Sequence, residues 1–156
     1  MHIERYDGNR DALLPLFALA DDSPTQVASY IEEGEVVVAR AGDEIVGHAL
    51  IIDTGDAATF ELKSIAITQA RQGEGLGRAL VAAAITYCRE RGGRHLIVST
   101  ATADIGNLRF YQRLGFRMAS IVKDAFGPAT GYPEGLLIDS IPLRDQVVFE
   151  LDLGAD

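Results

Sequence analysis

Three glycines fall within five residues, in the run Gln72-Gly73-Glu74-Gly75-Leu76-Gly77-Arg78, between an apolar β-rich segment and a clear helical pattern. A strand that enters a helix through residues lacking Cβ leaves the first helical N–H groups uncovered. The aligned peptide dipoles add roughly half a positive charge at that end. Such a turn suits close approach by an anion, above all a phosphate. Two well-known owners of phosphate turns fail here. Leu80 stands where a dinucleotide fingerprint requires its third glycine, and the segments before the turn read as a meander rather than a βαβ unit. No Lys-Ser or Lys-Thr follows the glycines, which excludes a Walker loop. A turn that only needs small residues stays open until its surroundings are read.

Those surroundings alternate helix and strand. Residues 2–7 read as a short strand, and Leu13, Leu14, Phe17 and Leu19 carry helical spacing over 11–20. Ser23-Pro24 is an N-cap followed by proline at the first helical position, predicting a second helix to about Glu33, where Gly34 stops it. Residues 35–40, 44–53 and 59–68 are β-rich runs parted by turn residues and predict a three-stranded antiparallel meander. From Gly75 to Arg91, Leu76, Ala79, Leu80, Ala83, Ala84, Tyr87 and Cys88 recur at helical intervals. Gly92-Gly93 ends this helix, a strand follows over 95–100, a helix over 104–114, and strands over 116–122 and 145–153. Residues 123–142 hold three prolines and three glycines and read as a long loop, of the kind that tends to be functional.

The run Ile65-Ala66-Ile67, then Gln72-x-x-Gly75-x-Gly77-Arg78, and about thirty residues later Phe110-Tyr111-Gln112-Arg113-Leu114-Gly115-Phe116, resembles the GNAT superfamily of acyl-CoA-dependent N-acetyltransferases. The order and separation of the motifs match over nearly the whole chain. The resemblance implies an α/β (α+β) GNAT fold, a mixed, mostly antiparallel sheet of about seven strands flanked by about four helices, as a single domain over residues 1–156. It implies that strands 61–68 and 95–100 splay into a V. The pantetheine arm of acetyl-CoA would pair there with backbone groups of Ile65, Ala66 and Ile67, and its pyrophosphate would sit on Gln72, Gly73, Gly75, Leu76, Gly77 and Arg78. Arg78 would add a charged contact, or is a solvated helix residue.

By the same resemblance, Tyr111 lies beside the coenzyme sulfur and protonates the departing thiolate; the alternative is a core tyrosine on a helix face. Glu61 stands where some members carry a glutamate base, which an alkylammonium of pKa roughly 10 requires. Strict alternation puts Glu61 on the face of Lys63, Ile65 and Ile67 unless a bulge shifts the register, and Lys63 could instead pair with it. His48, mid-strand among apolar residues, is a second titratable candidate, against a reading as an ordinary sheet residue. Many members have an asparagine seven residues before the tyrosine; here that position is Asp104, an N-cap candidate, and either Asn107 one turn on takes over the coenzyme contact or the contact is missing. If the 123–142 loop folds over the cleft, Tyr132, Glu134 and Asp139 would face an incoming amine; the alternative is a solvated loop whose charges have no role.

The chain's 14 Lys and Arg against 23 Asp and Glu, net charge −9, argue against nucleic acid or anionic membrane and favour a cationic partner. One cysteine, no Cys/His cluster of metal spacing, no leader pattern and no long apolar run point to a cytoplasmic protein without a metal. The expected activity is acetyl transfer from acetyl-CoA to an amine-bearing small molecule or peptide, and a homodimer is compatible with the resemblance. The rival is a non-catalytic acyl-CoA-binding or sensing module.

Overall fold

Strands rich in Val, Ile and Ala cannot bury both faces without helices on each side, and the chain provides helices for both. The computed structural model describes residues 1–154. Its central sheet has seven strands: β1 (His2–Tyr6), β2 (Glu35–Ala41), β3 (Glu44–Asp56), β4 (Thr59–Ile67), β5 (His95–Ala101), β6 (Arg117–Val122) and β9 (Gln146–Asp152), in the order β1-β2-β3-β4-β5-β9-β6. All neighbours are antiparallel except β4 and β5. That parallel pair requires a crossover, which the helix α3 (Leu76–Glu90) supplies.

Two apolar clusters cover the sheet. On one face Leu76, Leu80, Val81, Ala84 and Cys88 of α3 pack with Phe60, Leu62, Leu96, Val98 and Phe149. On the other, α1 (Leu14–Ala20) and α2 (Pro24–Tyr30) bring Leu16, Phe17, Val27 and Tyr30 onto Val36, Val38 and Leu50. The fourth helix, α4 (Ile105–Arg113), follows β5. Among the described residues no helix is long and apolar enough to cross a membrane.

Several boundaries differ from the sequence reading. The first helical segment is split, a 3₁₀ turn at Arg10–Leu13 preceding α1, because Pro15 starts a new helix at its first turn. The second helix stops at Tyr30 rather than near Glu33, since the Arg10 guanidinium takes the carbonyls of Ile31 (2.9 Å), Glu33 and Gly34 (2.7 Å). Residues 123–142 are not a plain loop. They contain a 3₁₀ turn at Pro128–Thr130 and a small hairpin of β7 (Leu137–Ile138) with β8 (Ile141–Pro142).

Candidate active site

The parallel pairing of β4 and β5 is short. Thr59 faces His95, Phe60 faces Leu96 and Glu61 faces Ile97; beyond these the strands part, and Leu62–Ile67 continues alongside β3 alone. One backbone edge of Ile65, Ala66 and Ile67 is therefore left beside a widening gap, which is the V expected from the sequence. Glu61 stands at its closed end.

The open end runs into the glycine turn. Gly73 (φ +86°) and Gly75 (φ +83°) both adopt the left-handed conformation that side chains disfavour, and a Cβ on either would project into open space. From Gly73 to Arg78 the amides have no backbone acceptor among the described residues; the first helical bond runs from Ala79 to the Gly75 carbonyl. One correction follows. Gln72 lies outside the open row, because its amide donates to the Gln69 carbonyl (3.3 Å) and its side chain to the Ile67 carbonyl (3.1 Å). It braces the turn against β4. Leu76 is buried in the core, Arg78 is exposed, and Gly77 makes room for Phe110, whose ring would lie 3.2 Å from an added Cβ.

Across the gap, α4 lies along the free arm of β5. Asp104 is its N-cap, accepting from the Asn107 amide (3.0 Å), and the Asn107 side chain donates to Thr100 Oγ1 (3.0 Å). The asparagine thus ties helix to strand and keeps its carbonyl oxygen as an acceptor. Tyr111 is 3% exposed and wedged among Phe110, Phe116 and Phe149. Burial, aided by Asp104, pushes its phenol well above the ordinary value, so it stays protonated throughout the neutral range.

Glu61 is not on the face expected from plain alternation. Leu50 pairs with Ser64 and Ile51 with Leu62, so Lys63 is the extra residue of a β-bulge. Phe60, Leu62, Ile65 and Ile67 face α3, whereas Glu61 and Ser64 face α1 and α2. Base candidate and acid candidate consequently lie on opposite faces of the sheet, with the gap between them.

Around Glu61 is a cluster of which the sequence suggested only the pairing with Lys63. Lys63 Nζ lies 4.0 Å from Glu61 Oε2 and 5.0 Å from the Tyr30 ring centroid. Asp21 accepts from Tyr30 (2.7 Å), Tyr132 (2.7 Å) and the Ser23 amide (3.0 Å). Burial first, then these bonds, raise both phenols above their ordinary value. With Gln26 donating to the Thr130 carbonyl (2.9 Å), Asp21 latches the 123–142 segment onto α1 and α2. Tyr132 is thus part of the structure's own bonding rather than a free group, and Glu134 and Asp139 are exposed. Asp21 carried no signal of its own in sequence, and its partner Tyr132 lies 111 residues away.

His48 is excluded as a base. It is fully buried against Phe17 (centroids 4.2 Å apart), with Nε2 2.8 Å from Ser64 Oγ and Nδ1 without a partner. Desolvation lowers it from 6.5 to about 3. The unfolded chain takes up this proton below about pH 6.5 and the folded one refuses it until about pH 3. Stability from this group is therefore complete above pH 6.5 and declines as pH falls, by about 1.4 kcal/mol per unit within that window. Denaturant unfolding at pH 7.5 and 5.0 should show a loss near 2 kcal/mol that His48→Gln abolishes.

Comparison with known proteins agrees with this geometry. The model of the Acetyltransferase (GNAT) family matches residues 8–116. The uncharacterized N-acetyltransferase YvbK of Bacillus subtilis (strain 168) is 35% identical over 153 residues, 98% of this chain and 97% of that protein. A Bacillus subtilis acetyltransferase solved in complex with CoA has a TM-score of 0.86 at 35% identity, covering 96% of this chain and 97% of that one. A GNAT family acetyltransferase from Elizabethkingia anophelis with acetyl-CoA bound has a TM-score of 0.88 at 27% identity, covering 97% of each. The matched motifs, the parted strands and the glycine turn agree, and the chain belongs to the GNAT family of acetyl-CoA-dependent acetyltransferases.

Proposed function

We propose that this protein transfers the acetyl group of acetyl-CoA to a primary amine of a small molecule or peptide, within one domain spanning residues 1–156. The observation that carries the reading is the placement of Glu61 at the closed end of a gap whose open end is the glycine turn. Pyrophosphate on the amides of Gly73 to Arg78 directs the pantetheine arm back along the edge of Ile67, Ala66 and Ile65. Its acyl end then points toward Glu61. The four residue steps of strand from Ile67 to Lys63 span about 13 Å, within reach of an extended arm.

Each residue has a role. A backbone N–H on the free edge of β4, at the Glu61 end of the gap, polarises the thioester carbonyl. Glu61 takes the proton of the incoming ammonium, directly or through water, because the protonated amine has no lone pair for attack. Tyr111, kept protonated by burial, donates to the sulfur as negative charge develops there. Asn107 offers its carbonyl oxygen to the arm from the α4 side. The amine enters from the α1/α2 face, where Asp21, Glu61 and the overall charge of −9 favour a cation.

The test is release of free thiol from acetyl-CoA with a panel of polyamines, aminoglycosides, amino acids and peptide N-termini. Turnover with at least one class is expected. Coenzyme binding with complete inactivity across the panel would overturn the reading in favour of a binding or sensing module.

A further inference from the structure

Only two of the chain's fourteen cationic side chains are lysines, Lys63 and Lys123; the other twelve are arginines. Lys123 is exposed at the start of the 123–142 segment, whereas Lys63 is the bulged residue of β4, one turn of the pleat inside the gap from Glu61. A bulge re-aims the side chain it carries. Here it lays the Lys63 ammonium over the Tyr30 ring, 5.0 Å from the centroid, and 4.0 Å from the Glu61 carboxylate. An aromatic face with a carboxylate beside it is an ammonium site. In this protein the occupant is a primary amine of the chain itself, and its side chain is still 35% exposed.

We propose that the enzyme acetylates its own Lys63. The inference rests on the reading above, that the acyl end of acetyl-CoA is delivered to the Glu61 end of the gap. Lys63 gives one proton to Glu61. Its Nζ lone pair then forms a C–N bond with the acetyl carbonyl carbon, the C–S bond breaks, and the electron pair leaves with the coenzyme sulfur. The second proton lost from nitrogen goes to solvent, the departing thiolate takes its proton from Tyr111, which solvent reprotonates, and the products are an amide and free coenzyme thiol. The product side chain is neutral, so both the carboxylate of Glu61 and the face of Tyr30 become available to a cationic acceptor. Self-acetylation thereby clears the amine site that Lys63 occupies.

The full-length protein is incubated with acetyl-CoA without added amine and followed by intact-mass spectrometry and peptide mapping. One acetyl group is expected on Lys63, at least ten times faster than on Lys123. The rate constant should be independent of protein concentration, and the preference should vanish in denatured protein. Glu61→Gln should slow modification of Lys63 at least tenfold and leave Lys123 unaffected. Lys63→Arg should block it, with thermal unfolding confirming that both variants fold. An unmodified Lys63, or one modified no faster than Lys123, overturns the proposal. If amines in the panel are acetylated while Lys63 stays free, the self-acetylation inference falls alone. If acetyl-CoA binds and neither an added amine nor Lys63 is acetylated, the transfer reading falls with it.

Discussion

Gly75→Val should abolish coenzyme binding while leaving the protein folded. Gly75 caps α3 at φ +83°, in the left-handed region where a β-branched residue is most strained. An added Cβ meets no protein atom within 4 Å, so the side chain projects into the open space beside the turn, where the proposed pyrophosphate would sit. The cost to folding is that of backbone strain alone, about 1–3 kcal/mol. The cost to binding is larger, because the valine methyl groups would stand between pyrophosphate oxygens and the amides of Gly73 to Arg78. Calorimetric titration with CoA should show affinity reduced at least a hundredfold, and denaturant unfolding should stay cooperative. Affinity equal to the parent protein's would remove the turn from the coenzyme site. Gly77→Ala should behave differently, since its Cβ presses on the Phe110 ring at 3.2 Å and affects the seat of α4.

The second large effect belongs to the proton-transfer groups. Glu61→Gln preserves shape but cannot take a proton, so turnover should fall by about 10²–10⁴ with CoA affinity unchanged. The residual rate should climb as pH is raised toward the amine's own pKa of roughly 10, because the free base then no longer needs Glu61. An unaltered pH profile would place the base elsewhere. Tyr111→Phe complements this test. A phenylalanine keeps the contacts with Phe110, Phe116 and Phe149, so coenzyme binding and stability should hold while turnover drops. Full activity in that variant would move the thiolate's proton donor to another group.

Most of the donor side was legible before the structure because its signals are local. Glycines at Gly73 and Gly75, a helix beginning at Leu76 and the apolar run before them lie within a dozen residues of each other, and each has its own periodicity or backbone requirement. The acceptor side was not. Asp21 joins Tyr30 and Tyr132 through hydrogen bonds that span 9 and 111 residues, and no spacing rule links such positions. The hairpin of β7 and β8 was missed for a related reason. Two-residue strands among prolines and glycines carry no alternation to read.

The face on which Glu61 lies shows the division most clearly. Residue order alone determined that a strand carrying Glu61, Lys63, Ile65 and Ile67 leads into a glycine-rich turn at a helix N-terminus, since these are properties of composition and period. Strict alternation, however, assigns all four to one face, and only a single extra residue at Lys63 separates them. That bulge is set by how β4 pairs with β3, an interaction between distant segments that leaves no mark in the local pattern. Through it, tertiary structure decided that Glu61 faces the α1 and α2 helices, that Tyr111 stands across the gap from it, and that Lys63 rests on Tyr30 beside the carboxylate.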